Sequence, residues 1–194
     1  LDGTNVRYTA EWAKALNRAG RNTEAIAAYQ AALDIDAENL ANLREIASLY
    51  VRADDFAKAR PHLEKVVQLQ PDDLAPKQSL ARALDAARDL DGATKQYRDI
   101  LAVMPEADLT RALLSDLLVR QRRADEALQL IDEGLKADPE AAILYREKGR
   151  VLDQQSKNGE AVAAYRQYLK LSPGATDVKV FKARVEQLEA AVQQ

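Results

Sequence analysis

The sequence predicts an all-α fold, a solenoid built from antiparallel helix pairs, and three observations predict it. A short tract recurs at a constant interval of 34 residues through most of the 194-residue chain. Within each copy, apolar residues recur at three- and four-residue spacing, which lines one face of a helix. Composition agrees: 47% hydrophobic and 30% charged residues, with only 7 glycines and 6 prolines, leave too little turn chemistry for an all-β chain.

The recurring tract is clearest around Ala25, which returns as Ala59, Ala93, Ala127 and Ala161. Four residues further on stand Tyr29, Leu63, Tyr97, Ile131 and Tyr165, and eight further on Leu33, Val67, Leu101, Leu135 and Leu169. These two columns make the apolar stripe of a second helix in each pair. The alanine lets two helices approach closely, where a bulkier side chain would hold them apart. Twelve residues beyond the alanines come Ala37, Pro71, Pro105, Pro139 and Pro173. Proline cannot continue a helix and restricts the residue before it, so it ends the pair.

The elements follow in order. Five pairs are expected over about 6–39, 40–73, 74–107, 108–141 and 142–173, so that residues 1–173 hold the repeats. First helices carry their own stripes: Leu43, Ile46, Ala47 and Tyr50 in the second pair, Leu80, Ala81 and Leu84 in the third, Leu114, Ser115 and Leu118 in the fourth. Polar turns separate the two helices of a pair. In Gly20-Arg21-Asn22-Thr23, Asp54-Asp55 and Lys157-Asn158-Gly159, the Asn, Asp and Thr side chains are expected to cap the next helix. Pro61 stands near the start of a second helix, where a missing N–H costs little, and is expected to be tolerated. Over 174–194, Val178, Phe181, Val185, Leu188 and Val192 form one narrow stripe, expected to be a helix that covers the last pair. The start at Leu1, with no helix ahead of the first pair, suggests a segment of a longer protein or a processed form.

These residues resemble the tetratricopeptide repeat family over roughly 6–173, a family whose unit is a 34-residue helix-turn-helix. The fifth copy matches with Tyr145, Gly149, Ala161, Tyr165 and Pro173; the second matches with Leu43, Ala47, Tyr50, Ala59 and Pro71. The first departs, with Thr9 where an aromatic is usual and Ala37 in place of proline, which blurs the junction between the first two copies. Tyr168 replaces the usual small residue of the fifth second helix, either to pack under the terminal helix or to mark a contact. The resemblance implies a right-handed superhelix whose concave face is lined by the first helices. Carried over residue by residue, that face receives Arg7, Ala10, Lys14, Asn17 and Arg18, then Ala41, Arg44, Ser48, Val51 and Arg52. The third copy contributes Ala75, Gln78, Arg82, Asp85 and Ala86, the fourth Leu109, Ala112, Asp116, Val119 and Arg120, the fifth Ile143, Arg146, Arg150, Asp153 and Gln154.

Nine of these positions are cationic and three anionic, a balance of +6 on a chain whose net charge is −3. An arginine-lined groove suits an extended acidic segment, because the guanidinium fork pairs with carboxylates in bidentate geometry. The expected function is therefore a non-catalytic protein–protein interaction scaffold that takes an acidic protein or peptide. Its binding residues would be Lys14, Arg18, Arg44, Ser48, Arg52, Gln78, Arg82, Asp116, Arg120, Arg146 and Arg150. Ala10, Lys14, Glu45, Ala75 and Ser79 do not assemble the Lys/Asn set with which some family members clamp a chaperone's C-terminal carboxylate.

Other chemistries find little support. The only histidine, His62, stands alone on a second helix expected to face outward; there is no cysteine, no phosphate loop and no His-Glu-x-x-His spacing. Asp54-Asp55 and Asp72-Asp73 fall at turns, where capping accounts for them. No catalysis, cofactor or metal is expected. Tyr8, Trp12, Tyr29, Tyr50, Phe56, Tyr97, Tyr145 and Tyr165 fall in or beside packing columns, and the pI is about 5.4, so nucleic acid is not the expected partner. No apolar run reaches the roughly 18 residues needed for direct membrane insertion. The alternative is a structural or assembly module of a larger bacterial envelope protein, in polysaccharide export, a pilus or a secretion system. That module would act through end-to-end self-association, missing N-terminal repeats or convex-face contacts, in bacterial cytoplasm or, by preference, periplasm.

Overall fold

The computed structural model describes residues 6–192, and the calls that fall on residues 1–5 and on the side chains of Arg7 and Val192 lie outside the described residues. Within it are eleven α-helices and no strand. Five pairs run α1 (Val6–Arg18) with α2 (Asn22–Ile35), α3 (Leu40–Arg52) with α4 (Phe56–Leu69), α5 (Leu74–Ala86) with α6 (Leu90–Val103), α7 (Asp108–Arg120) with α8 (Ala124–Ala137), and α9 (Ala142–Gln154) with α10 (Asn158–Leu171). A last helix, α11 (Val178–Val192), follows. First helices have 13 residues and second helices 14 in every pair, so the 34-residue interval holds without insertion. The chain divides into two compact units, the first ending at Gln96 and the second starting at Tyr97, inside α6.

Burial follows the columns. Ala25, Ala59, Ala93, Ala127 and Ala161 are each 0% exposed, which is what a close helix–helix contact requires. In the first unit the core gathers Ala13, Leu16, Ala25, Tyr29, Leu33, Leu43, Ile46, Leu49 and Val66. In the second unit, Leu152, Ala161, Val162, Ala164 and Tyr165 pack with Val185 and Leu188 of α11, and half-buried Phe181 lies against them. Tyr168 takes the first of its two expected roles: it is buried, and its ring meets Phe181 edge-on at 5.3 Å.

The turn inside each pair has one geometry. Gly20, Asp54, Arg88, Arg122 and Ser156 stand 34 residues apart and all have positive φ, between 52° and 74°. Each following residue donates its N–H five residues back: Arg21 to Leu16 O, Asp55 to Tyr50 O, Asp89 to Leu84 O, Arg123 to Leu118 O and Lys157 to Leu152 O, at 2.8–2.9 Å. This closes the carbonyl end of the first helix. A left-handed L-residue costs roughly 1–2 kcal/mol, and only the first of the five turns uses glycine to avoid it.

Capping is less uniform than the turns suggested. Asp55 accepts from the Lys58 N–H at 3.2 Å, Asn39 from Asn42 and Asp73 from Ala75. Before α2 and α10, however, the capping positions are Arg21 and Lys157, and neither makes a side-chain cap bond. Asn22 and Asn158 lie one residue too late, already inside the helix. Helix α4 runs unbroken through Pro61, as expected, though for a different reason. Pro61 is the sixth residue of α4, so its missing N–H leaves the Ala57 carbonyl without its helical donor. Both residues are exposed, and water can take that place.

The first pair ends in the common register although Ala37 replaces proline: α2 stops at Ile35, two residues before Ala37, as α4 stops two before Pro71. Asp36 has φ −135° and ψ 89°, close to Asp138 before Pro139 at −126° and 96°. The backbone ahead of Ala37 is therefore already shaped for proline. Ala37→Pro is expected to raise the unfolding free energy by about 0.4–1 kcal/mol through the unfolded chain's entropy. Urea denaturation checks this, and a loss of stability would show that the Ala37 backbone differs from its proline-bearing counterparts.

Candidate binding surface

In the first unit, the first helices bring Asn17, Arg52 and Glu45 together. Arg52 Nη2 donates to Asn17 Oδ1 at 2.9 Å, and Asn17 Nδ2 donates to Glu45 Oε2 at 3.4 Å, which ties α1 to α3. Lys14 pairs with Glu11 at 2.9 Å, one turn away on its own helix. Arg44 is held by Asp73 and by the Gln70 side chain. Three cations are left. Arg18, Arg52 and Arg82 are exposed and have no carboxylate within ion-pair distance among the described residues. Arg52 has only its bond to Asn17, and the Arg82 guanidinium stands 5.3 Å from the centre of the Phe56 ring. Phe56 lies four residues beyond Arg52, just across the turn that ends α3. Ser48 is exposed and Gln78 half-buried on the same helices.

The second unit is different, because the cations expected in its groove, Arg120, Arg146 and Arg150, are already engaged. Arg120 pairs with Asp116 at 3.1 Å, and Asp116 lies 3.9 Å from Arg150. Arg150 and Arg146 both donate to Glu147, at 3.0 and 3.1 Å, and Arg146 also reaches Asp177 at 3.2 Å. Glu147 is buried at 5% exposure, with two guanidinium partners to offset its desolvation. The Tyr168 hydroxyl donates to Asp177 and, together with Arg146, holds that carboxyl below its usual range. Arg184 of α11 grips Asp153 through two bonds at 2.7 and 2.8 Å, which likewise depresses the Asp153 pKa. Tyr165 titrates above the ordinary tyrosine range, chiefly through burial and then through the neighbouring Asp153.

The expected groove residues thus separate into two groups. Lys14, Arg44, Asp116, Arg120, Arg146 and Arg150 are in ion pairs, whereas Arg18, Arg52 and Arg82 are not. Ala112, one of the positions carried over to the groove, is buried. The +6 balance overstated the field because it counted one set of positions per copy. Glu11, Glu45 and Glu147 fill another column at the same interval, and Asp73 and Asp177 come from the segments between helices.

Three further readings change. His62 is half-buried, not outward-facing: its ring stacks on Tyr50 at 6.0 Å, and burial lowers its pKa. Tyr8 and Trp12 are 66% and 51% exposed, so they are not core. Their columns are occupied in the second pair by Asn42 and Ile46, both buried, in a helix that packs on the preceding α2; no described element precedes α1. Sequence reading also missed Arg111, which is 6% exposed in α7. Among the described residues no helix is long and apolar enough to cross a membrane, and no cluster of His, Asp or Glu is arranged to hold a metal ion.

Comparison with known proteins agrees with this architecture. Models of the tetratricopeptide repeat match residues 16–84, 50–103 and 112–176. No curated protein matches the sequence. Among solved structures, a crystal structure of MamA superposes with a TM-score of 0.76 at 17% identity, over 89% of this chain and 94% of that one. YrrB, described as a tetratricopeptide repeat protein with an unusual peptide-binding site, gives 0.75 at 16% identity over 94% of each chain. A MamA fragment from Desulfovibrio magneticus RS-1 gives 0.73 at 14% identity, over 91% of this chain and 98% of that one. At these identities the likeness shows the fold, an all-α solenoid of helix pairs.

Proposed function

The chain belongs to the tetratricopeptide repeat family, and from that premise we propose that it is a non-catalytic protein–protein interaction scaffold whose first unit binds an acidic segment of its partner. One observation carries the acidic part of the reading: Arg18, Arg52 and Arg82 are exposed and lack carboxylate partners among the described residues, while Lys14, Arg44, Arg120, Arg146 and Arg150 are held in ion pairs. A guanidinium with free N–H groups is a ready bidentate donor to a carboxylate. Arg18 and Arg52 close α1 and α3, where the helix dipole offsets roughly half a charge, so about half of each charge remains available. The peptide-binding site described for YrrB is consistent with this use of the fold.

The test is fluorescence anisotropy with a labelled octaglutamate peptide and an octaglutamine control. Octaglutamate is expected to bind, and to weaken as salt is raised, because exposed charges are screened. Arg18→Glu/Arg52→Glu/Arg82→Glu should cost about tenfold or more in affinity, and Arg150→Glu less than about threefold. Equal binding of octaglutamine, or an unaffected triple variant, would remove the acidic-segment reading.

A further inference from the structure

Arg111 occupies the column that holds Leu43 two copies earlier and Tyr145 one copy later, and it is buried there as a cation. Its guanidinium is pinned to backbone carbonyls: Nη1 donates to Leu130 O at 3.1 Å and Nη2 to Pro105 O at 2.6 Å. The room for it comes from Gly134, because a Cβ there would lie 2.5 Å from Arg111 Cδ and 2.6 Å from Nε. Nε has no partner, and no carboxylate lies within ion-pair distance of Arg111 among the described residues. Of the five N–H donors of a guanidinium, two are used, which leaves three on a buried cation that influences Asp108 electrostatically but has no carboxylate at ion-pair distance among the described residues.

That charge borders a cavity of about 540 Å³ in the second unit, formed by α6, α7 and α8. Leu101, Leu114, Leu118 and Leu130 make its apolar wall. Glu126 and Glu133 stand on its lining too. Glu126 is bound by Arg98 and Arg123, and Glu133 accepts from Gln129 at 3.1 Å. An apolar wall selects an aliphatic group, and the unpaired buried cation selects one negative charge beside it. The two glutamates disfavour a segment carrying several acids. We infer that this cavity binds the C-terminal residue of a partner polypeptide that ends in an aliphatic side chain, with its terminal carboxylate directed at Arg111. The site is separate from the first-unit arginines and does not depend on them.

The probes are acetyl-Ala-Leu-Leu with a free carboxylate and the same peptide as its C-terminal amide. Binding is followed by NMR at the Arg111 side-chain Nε–H and at the Leu101 and Leu130 amides. The free acid is expected to shift all three signals and to bind at least about tenfold more tightly than the amide. In Arg111→Leu, which restores the residue type at Leu43, the acid and amide should bind alike. Glu133→Gln leaves Arg111 in place and should tighten the acid by about threefold, with little change for the amide; it decides the matter if Arg111→Leu fails to fold. Equal binding of acid and amide by the unmodified protein, an acid preference that survives Arg111→Leu, or no effect of Glu133→Gln on the acid would overturn the assignment.

Discussion

Tyr165→Ala is expected to lower the unfolding free energy of the second unit by about 3–5 kcal/mol, the usual cost of deleting a buried aromatic side chain. Tyr165 is 2% exposed on α10 and packs against α9 on one side and α11 on the other. Its ring lies 5.0 Å from that of Phe181, and its hydroxyl is 3.4 Å from the Asp153 carboxylate that Arg184 also holds. Truncation opens a cavity and removes the surface on which Phe181 rests. Urea denaturation followed by hydrogen exchange in α9–α11 measures the loss. A change below about 1 kcal/mol would mean that the neighbouring helices close over the gap.

The second large effect comes from the opposite change at the same contact. In Gly149→Ala the new Cβ would stand 2.5 Å from Tyr165 Cε1, against a ring that is buried and cannot turn aside. Overpacking of this kind costs about 1–3 kcal/mol, whereas alanine's better helix propensity returns up to about 1 kcal/mol. The expected outcome is a net loss, seen as a lower urea midpoint. Because the two residues touch, Gly149→Ala and Tyr165→Leu should not add: the double variant should be more stable than the sum of the single losses predicts. Additive losses would separate the glycine from the tyrosine and place its role elsewhere.

Much of the fold was legible because each structural demand recurs as a residue type at one spacing. The alanine column predicts close helix contacts, and all five alanines are fully buried. Helix ends were equally readable, even at Ala37, because the backbone register does not depend on proline alone. The boundary between the two units left no such mark: Ala93 and Ala127 keep the 34-residue interval across it.

The candidate surface was only half legible, for a physical reason. A column shows which side chains share a helix face but not what meets them from another element. Asp73 and Asp177, which neutralise Arg44 and Arg146, come from inter-helix segments outside the counted positions. Glu147 could have been found, since it repeats Glu11 and Glu45 beside the arginine columns. Arg111 had only a weak signal, because its column holds Thr9, Leu43, Lys77 and Tyr145 and so already contains another cation; the glycine at position 134 is the feature that marks it off. Tyr8 and Trp12 were misplaced because their columns are buried only where another helix pair comes before them.

The five left-handed turns carry a consequence for how such a chain can change in length. Gly20, Asp54, Arg88, Arg122 and Ser156 present the same φ region and the same closing hydrogen bond at equal intervals. A cut after one of them and a join after the next excises 34 residues and meets matching backbone on both sides of the seam. Removing 21–54, for instance, would join Gly20 directly to Asp55, the residue that already caps α4. Unequal recombination within the gene could therefore subtract or duplicate a module at these points without forcing a new loop to evolve, and the turns would act as the chain's natural splice marks.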